Sequence, residues 1–233
     1  MKKIRAAELA ATLLNILIVS ACANCFAPLA YFGALWAIPA AGVFLLINIF
    51  PAETRRPLLT APLRVCRHGL SCLRAFAGAV VLSLAWQIYF AVLWIPERWQ
   101  MALWSLLICV FALAVVFWNG MICAYCSSVQ LGVRRRAVGI LCGFIPVVNL
   151  VVLAHIMRTI SREIDFEGNK LELDASRAGR QLCRTKYPLL LVHGVFFRDF
   201  KFPNYWGRIP DELIRNGARV YYGCHQSAAS VAR

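Results

Sequence analysis

Three groupings in the 233-residue sequence have residue types and spacings that can do chemistry. The first is Tyr187-Pro188-Leu189-Leu190-Leu191-Val192-His193-Gly194, a short apolar run after a proline that stops at His-Gly. Such a run reads as a buried strand ending in a tight turn beneath a site. The second is His225-Gln226-Ser227, which sets an imidazole two residues from a hydroxyl. No Gly-x-Ser-x-Gly turn accompanies them to expose a nucleophile, so the expectation is a surface loop leading into a helix. The third is the cysteines, ten in all. Cys22/Cys25 and Cys123/Cys126 have Cys-x-x-Cys spacing, and Cys66, His68 and Cys72 cluster in one basic loop. Neither pair has the flanks of a zinc ribbon, and Cys22, Cys25, Cys109, Cys123 and Cys142 lie in apolar stretches, where the thiol packs as a small hydrophobe. Neither a metal site nor a disulfide framework is expected.

The elements that must position these residues fall in two parts of different composition. Hydrophobic residues make up 61% of the chain and the mean hydropathy is +0.65, far above the roughly 45–50% apolar content of soluble domains. The reading is an integral membrane protein. Of the net charge of +14, +9 falls in the first 157 residues, mostly in short loops between apolar segments, where Lys and Arg set membrane orientation, and no aromatic-basic motif points to nucleic acid. No charged residue occurs between Leu9 and Ala52. That run exceeds one span of about 20 residues, so two helices joined near Pro28, over 9–26 and 29–50, are expected. A signal peptide disagrees with the length of the run and with the absence of a polar start after it.

Arg55, Arg56, Arg64, Arg67 and Arg74 follow in a loop with Pro51, Pro57 and Pro62, which predicts a cytoplasmic segment that is not one continuous helix. Spans at 73–95 and 101–123 are joined by Pro96-Glu97-Arg98-Trp99-Gln100, which makes them an antiparallel hairpin. Trp94, Trp99 and Trp104 gather at this turn, as aromatic rings do at a bilayer interface. Arg134-Arg135-Arg136 marks a second cytoplasmic loop before a fifth apolar segment, 137–157. If that segment crosses, the carboxyl-terminal region is exported. If it re-enters or lies in the interface, the region stays cytoplasmic, which Arg158, Arg162, Lys170 and Arg177 favour. The fold class expected is therefore a bundle of four or five transmembrane helices, with the five-span, extracytoplasmic version taken forward. Asn15, Asn24, Asn48, Gln87, Asn119, Asn149 and His155 fall in the spans without any charged neighbour in the central segments. Hydrogen bonding between helices explains them better than a transport pathway.

A polar juxtamembrane linker, 158–186, leads to the last part, 187–233. There Trp206, Ile209, Leu213 and Ile214 recur at helical spacing, with Pro210 suited to a first turn. Asp211 and Glu212 lie where the helix dipole favours acids, and Asn216-Gly217 is a stop signal. Val220-Tyr221-Tyr222 reads as a second strand. Strand, loop, helix, strand is a βαβ unit and predicts a parallel pair.

Three motifs in this region, Tyr187 to Phe197, Asn204 to Leu213 and Asn216 to Tyr221, resemble in order the amino-terminal part of bacterial triacylglycerol lipases of the α/β-hydrolase fold. The likeness covers about forty-five residues, roughly a fifth of the chain. It implies that His193-Gly194 forms the turn after the first strand and that the Val195 backbone N–H is one donor of an oxyanion hole, which stabilises charge developing on a substrate carbonyl. His193 is expected to pack or hydrogen-bond locally rather than act as a base. Arg198-Asp199 stand where the lipase pattern has a further glycine. The resemblance also implies that the nucleophile, acid and base follow Arg233. The 233-residue chain is thus expected to be the truncated start of such a domain, with negligible hydrolysis by itself.

The function expected is a membrane-anchored lipase or carboxylesterase of a bacterial cell membrane acting on lipid esters. Its partners are the bilayer and the ester; no nucleic acid is expected, and oligomeric state stays open. No cofactor is implied, because acyl transfer by serine needs none. The alternative is a non-enzymatic membrane protein with a degenerate hydrolase-like interaction tail.

Overall fold

A computed structural model describes residues 2–54, 56–141, 146–192 and 206–223. The described residues are mostly helical, with one small parallel sheet among them, and contacts divide the chain into two units, Met1–Glu167 and Gly168–Arg233.

In the first unit, helix α1 (Lys2–Phe32) runs through Pro28. The break expected near Pro28 falls instead at Gly33, whose φ of +146° is open to glycine but disfavoured for residues with a Cβ. Helix α2 (Ala34–Ile49) then returns along α1. Asn15 fastens the far end: its Nδ2 donates to the Ala52 carbonyl at 3.0 Å and its Oδ1 accepts from the Ala52 N–H at 2.8 Å.

Helix α3 (Ala61–Ser127) is interrupted at Arg98 (φ −144°, ψ 51°), two residues after Pro96. The proline lacks an N–H and its ring clashes with the carbonyl one turn back, so the helix breaks within the five-residue connector. The two limbs fold together. Gln87 meets Ser105, Phe76 meets Phe117 and Gly69 faces Gly120 and Ala124. Each pair is about equally distant from the break, which makes the limbs antiparallel. The first limb begins at Ala61, earlier than the span at 73–95. Arg64, Cys66, Arg67, His68, Cys72 and Arg74, expected in a loop, are therefore helical. The reason is local: Pro62 sits in the first turn, where its missing N–H costs nothing, and no proline follows until Pro96.

Among the described residues, two helices are long and apolar enough to cross a membrane, Ala6–Leu29 and Ala61–Ser127, the latter holding the hairpin; Ala37–Ile49 is a shorter apolar helix. Packing between these helices uses small residues. Ala23, Ala75, Ala79, Cys109 and Ala112 are buried among Val19, Phe44 and Val116.

Helix α4 (Gly132–Leu141) and helix α5 (Pro146–Arg177) take up the remainder. The stretch 137–157 is thus shared between two helices, with 142–145 outside the described residues, and α5 continues without interruption through much of the expected linker. Its buried stripe, Leu153, Ile156, Ile160 and Ile164, recurs every three or four residues and packs on Cys66, Leu70, Leu73, Met121, Ala124 and Leu131. These partners lie at the end of the α3 hairpin away from its connector.

In the second unit, α5 ends in a 3-10 turn, Ala178–Arg180, and β1 (Leu189–Leu191) pairs in parallel with β2 (Val220–Tyr222). The register sets Leu189 against Val220, Leu190 against Tyr221 and Leu191 against Tyr222. Helix α6 (Ile209–Arg215) lies between the strands in sequence. Pro210 is buried in its first turn, beside Asp211 and Glu212, and Gly217 ends it at φ +93°. A Cβ on Gly217 would come within 2.9 Å of Gln181, so glycine is required there both by φ and by space.

Candidate functional site

The loop implied by the lipase resemblance begins where β1 ends. Leu191 is the last residue of β1, and Val192 leads out of it. His193, Gly194 and Val195, together with Arg198-Asp199, lie outside the described residues, as do His225 and Ser227. The elements on either side are in place: strand, α6 and parallel strand follow in the expected order. Backbone bonds flank the pairing, from Leu189 N–H to the Arg219 carbonyl at 2.7 Å and from Gly223 N–H to the Leu191 carbonyl at 2.9 Å. Glu212 on α6 is held by Lys170 and lies 3.5 Å from Arg215. Half or more of each of Leu190, Tyr221 and Tyr222 is exposed, so apolar side chains of both strands remain open.

In the helical unit, the polar residues of the apolar helices meet one another. Asn24 Nδ2 donates to Ser83 Oγ at 2.8 Å and to the Ser20 carbonyl at 2.8 Å; Gln87 Nε2 donates to Asn24 Oδ1 at 2.8 Å and to Ser105 Oγ at 3.2 Å. This network ties α1 to both limbs of α3 and is closed upon itself, as interhelical hydrogen bonding requires.

A second network gathers His68, Cys72, Asn119 and Cys123. Asn119 Nδ2 donates to the Asn48 carbonyl at 2.8 Å and lies 3.4 Å from His68 Nε2 and 3.7 Å from Cys72 Sγ. His68 Nε2 and Cys72 Sγ are 3.6 Å apart, one helical turn along α3, and the Cys123 thiol donates to Asn119 Oδ1 at 3.6 Å. A thiol beside an imidazole and an amide has the composition of a nucleophilic site. Cys72 is only 2% exposed and no cation flanks it within the network, so its arrangement is that of a packed thiol. Among the described residues no group of three or more His, Cys, Asp or Glu side chains is placed to hold a metal ion. Cys22, Cys25, Cys66, Cys72, Cys109, Cys123, Cys126 and Cys183 are all free thiols.

Sequence patterning alone missed a third gathering, of charged residues. Arg56 lies 2.8 Å from Glu8 and 3.6 Å from Asp165, and Arg67 lies 3.7 Å from Glu53 and 3.9 Å from Glu8. Arg74 donates to Ser161 Oγ at 3.1 Å. One signal in the sequence points to it: Glu8 is the last charge before the uncharged run and Glu53 the first after it. Folding α2 back on α1 brings the two ends of that run together.

No family model, no curated protein and no solved structure matches the chain.

Proposed function

We propose that the chain is an integral membrane protein of four spans that carries the opening βαβ unit of a lipase-type α/β-hydrolase acting on lipid esters. The membrane reading is supported by an inverted polarity. Leu13, Leu17, Leu46, Val81, Leu84, Val92, Phe111 and Trp118 face outward, while Asn15, Ser20, Asn24, Ser83 and Ser105 are at most 3% exposed. In water such a surface would be a large uncovered apolar patch; in lipid it is the solvated face. The spans are α1, α2 and the two limbs of α3. The 16 residues of α2 reach about 24 Å, a little short of the roughly 30 Å hydrocarbon core, which local thinning accommodates.

This reading puts the segment after α3 on the cytoplasmic side. It rests on α5, whose stripe from Leu153 to Ile164 is spent against the start of α3, which carries Arg64, Arg67 and Arg74, and against the end of α3 that leads to Arg134-Arg135-Arg136. A reporter active on only one side of the membrane, fused after Arg184, is expected to signal in the cytoplasm. Signal confined to the exterior overturns the four-span topology and restores a fifth crossing.

The observation that carries the hydrolase reading is the parallel register of β1 and β2 across α6. Parallel pairs belong to sheets covered on both faces, and the open Leu190 and Tyr221 are the surface such a covering buries. The loop after β1 is then the oxyanion loop, with the Val195 N–H as donor and His193-Gly194 as its turn. Anchoring such a domain beside the bilayer concentrates it on substrates that partition there. Membranes carrying the protein expressed from its whole reading frame are expected to hydrolyse p-nitrophenyl esters and to be labelled by a fluorophosphonate. Val195→Pro removes the donor and is expected to lower kcat about 10²–10³-fold at unchanged protein level. Absence of both hydrolysis and labelling overturns the reading.

A further inference from the structure

We propose that the charged cavity at the basic end of the helical unit binds a phosphoethanolamine group carried by a bilayer lipid. The proposal rests on the membrane reading above but not on the hydrolase reading.

The cavity has a volume of about 150 Å3, room for roughly five waters at liquid density. That suits a small polar headgroup and not an acyl chain. Its walls carry Glu8, Glu53, Asp165, Arg56, Arg67 and Arg74. Three cations and three anions cancel. The Glu8, Glu53, Arg56 and Arg67 side chains are largely covered while Asp165 stands open at the rim, and a bare phosphate or a bare amine placed among these balanced charges would add an uncompensated one, which is costly where water is partly excluded. A zwitterion adds none.

The six groups are also incompletely engaged with one another. Only Arg56 and Glu8, at 2.8 Å, are at hydrogen-bond length. The contacts of Arg56 with Asp165 and of Arg67 with Glu53 and Glu8 are 3.6–3.9 Å, beyond the 2.7–3.2 Å typical of N–H···O bonds. The Glu53 and Asp165 oxygens thus keep capacity to accept from an ammonium, which offers three N–H groups. Arg74 pairs with no carboxylate among the described residues and reaches only the Ser161 hydroxyl. Its planar, five-donor fork is matched to a phosphate. Both halves of the zwitterion therefore find partners in the lining of the cavity.

Depth agrees with this chemistry. Glu8 and Glu53 bracket the uncharged run 9–52, and Arg74 is the last charge before the uncharged run 75–96. The cavity thus lies where three apolar segments begin or end, at the level of lipid headgroups. The ethanolamine amine is distinguished from choline because a trimethylated nitrogen has no N–H to give Glu53 or Asp165.

The test uses the full purified chain in detergent, with thermal unfolding followed during titration with phosphatidylethanolamine, phosphatidylcholine and phosphatidylglycerol. Phosphatidylethanolamine at saturating concentration is expected to raise Tm by about 5 °C or more over the choline lipid. Arg74→Gln and Glu53→Gln are each expected to raise its apparent Kd at least tenfold, with Tm in the choline lipid as the measure of folding. The wild-type comparison decides the matter even where a variant fails to fold. Equal stabilisation by the ethanolamine and choline lipids overturns the proposal, and so does preference for phosphatidylglycerol, which would make the site one for anions. Glycerophosphoethanolamine, added in its soluble form, is expected to shift Tm far less than the lipid. An equal shift would assign the site to a soluble ester and overturn the lipid source. Flotation with vesicles after a carbonate wash tests the membrane reading separately. Loss of flotation sinks that reading, whereas flotation without headgroup preference sinks only this one.

Discussion

Replacing Gly69 with leucine is expected to separate the two limbs of α3 and to remove most of the folded protein. A Cβ at this position would come within 2.9 Å of both the Ala124 nitrogen and the Gly120 oxygen, and within 3.0 Å of Cys123 Cβ. Two of these three neighbours are main-chain atoms of the facing limb and cannot rotate away. Gly120 mirrors the arrangement, with Leu73 Cγ at 2.8 Å and the Gly69 oxygen at 3.1 Å from a Cβ placed there. Close approach through small residues is how helices associate where lipid offers no hydrophobic driving force between them. Gly69→Leu should therefore cost about 3 kcal/mol or more, the upper end for overpacking, because the whole hairpin must part to admit the side chain. Gly42→Leu is the control. Nothing lies within 4 Å of a Cβ at Gly42, and its effect should stay within about 0.5 kcal/mol. Thermal unfolding of detergent-purified protein measures both; equal Tm for the two variants would show that the limbs do not pack at Gly69.

The second large effect is expected at Glu163, 6% exposed on α5. Its carboxylate accepts from the Ser128 hydroxyl, from the Val129 N–H at 2.9 Å and from the Gln130 N–H at 3.3 Å. Ser128 Oγ in turn accepts from the Leu131 N–H at 3.2 Å. One side chain thus satisfies the turn between α3 and α4. Glu163→Ala leaves those donors without partners and should cost about 3 kcal/mol, since hydrogen bonds to a charged group exceed neutral ones and their loss exposes the full desolvation penalty. Glu163→Gln keeps an acceptor and should cost less than half as much. Limited proteolysis of the 128–136 region reads out the local loosening. Protection unchanged in Glu163→Ala would remove the carboxylate from this role.

How much of this could be read from residues alone varies by element. The hairpin at 96–100 was legible because Pro96 and the four polar or aromatic residues after it interrupt a long apolar run, and the break at Arg98 lies inside them. The strand-helix-strand order of 187–223 was equally legible, through Pro210, Asn216-Gly217 and the apolar run after Pro188. The start of α3 was not. Three prolines and five arginines between 51 and 74 read as loop, although Pro62 stands in a first turn and no proline follows until Pro96; packing of Cys66, Leu70 and Leu73 on Ile156, Ile160 and Ile164 then holds that helical segment in place. The helical course of 158–170 was hidden likewise, because its apolar stripe is one face wide and its other faces are charged. The break between α1 and α2 moved from Pro28 to Gly33 because proline can remain in a helix whose neighbours accommodate it, whereas a φ of +146° selects glycine.

The sequence by itself determined that this protein alternates apolar runs with basic segments, that it turns at 96–100, and that a βαβ pattern follows Tyr187. These are local properties, carried by periodicity, by proline and glycine, and by the spacing of charge. Only the tertiary structure decided which polar residues meet: Asn24 with Gln87, His68 with Asn119, and Glu8 and Glu53 with Arg56 and Arg67 beside one cavity. Those residues are tens of positions apart, and bringing them together depends on which helix faces are small enough to approach. That is a property of packing in three dimensions that no local pattern encodes.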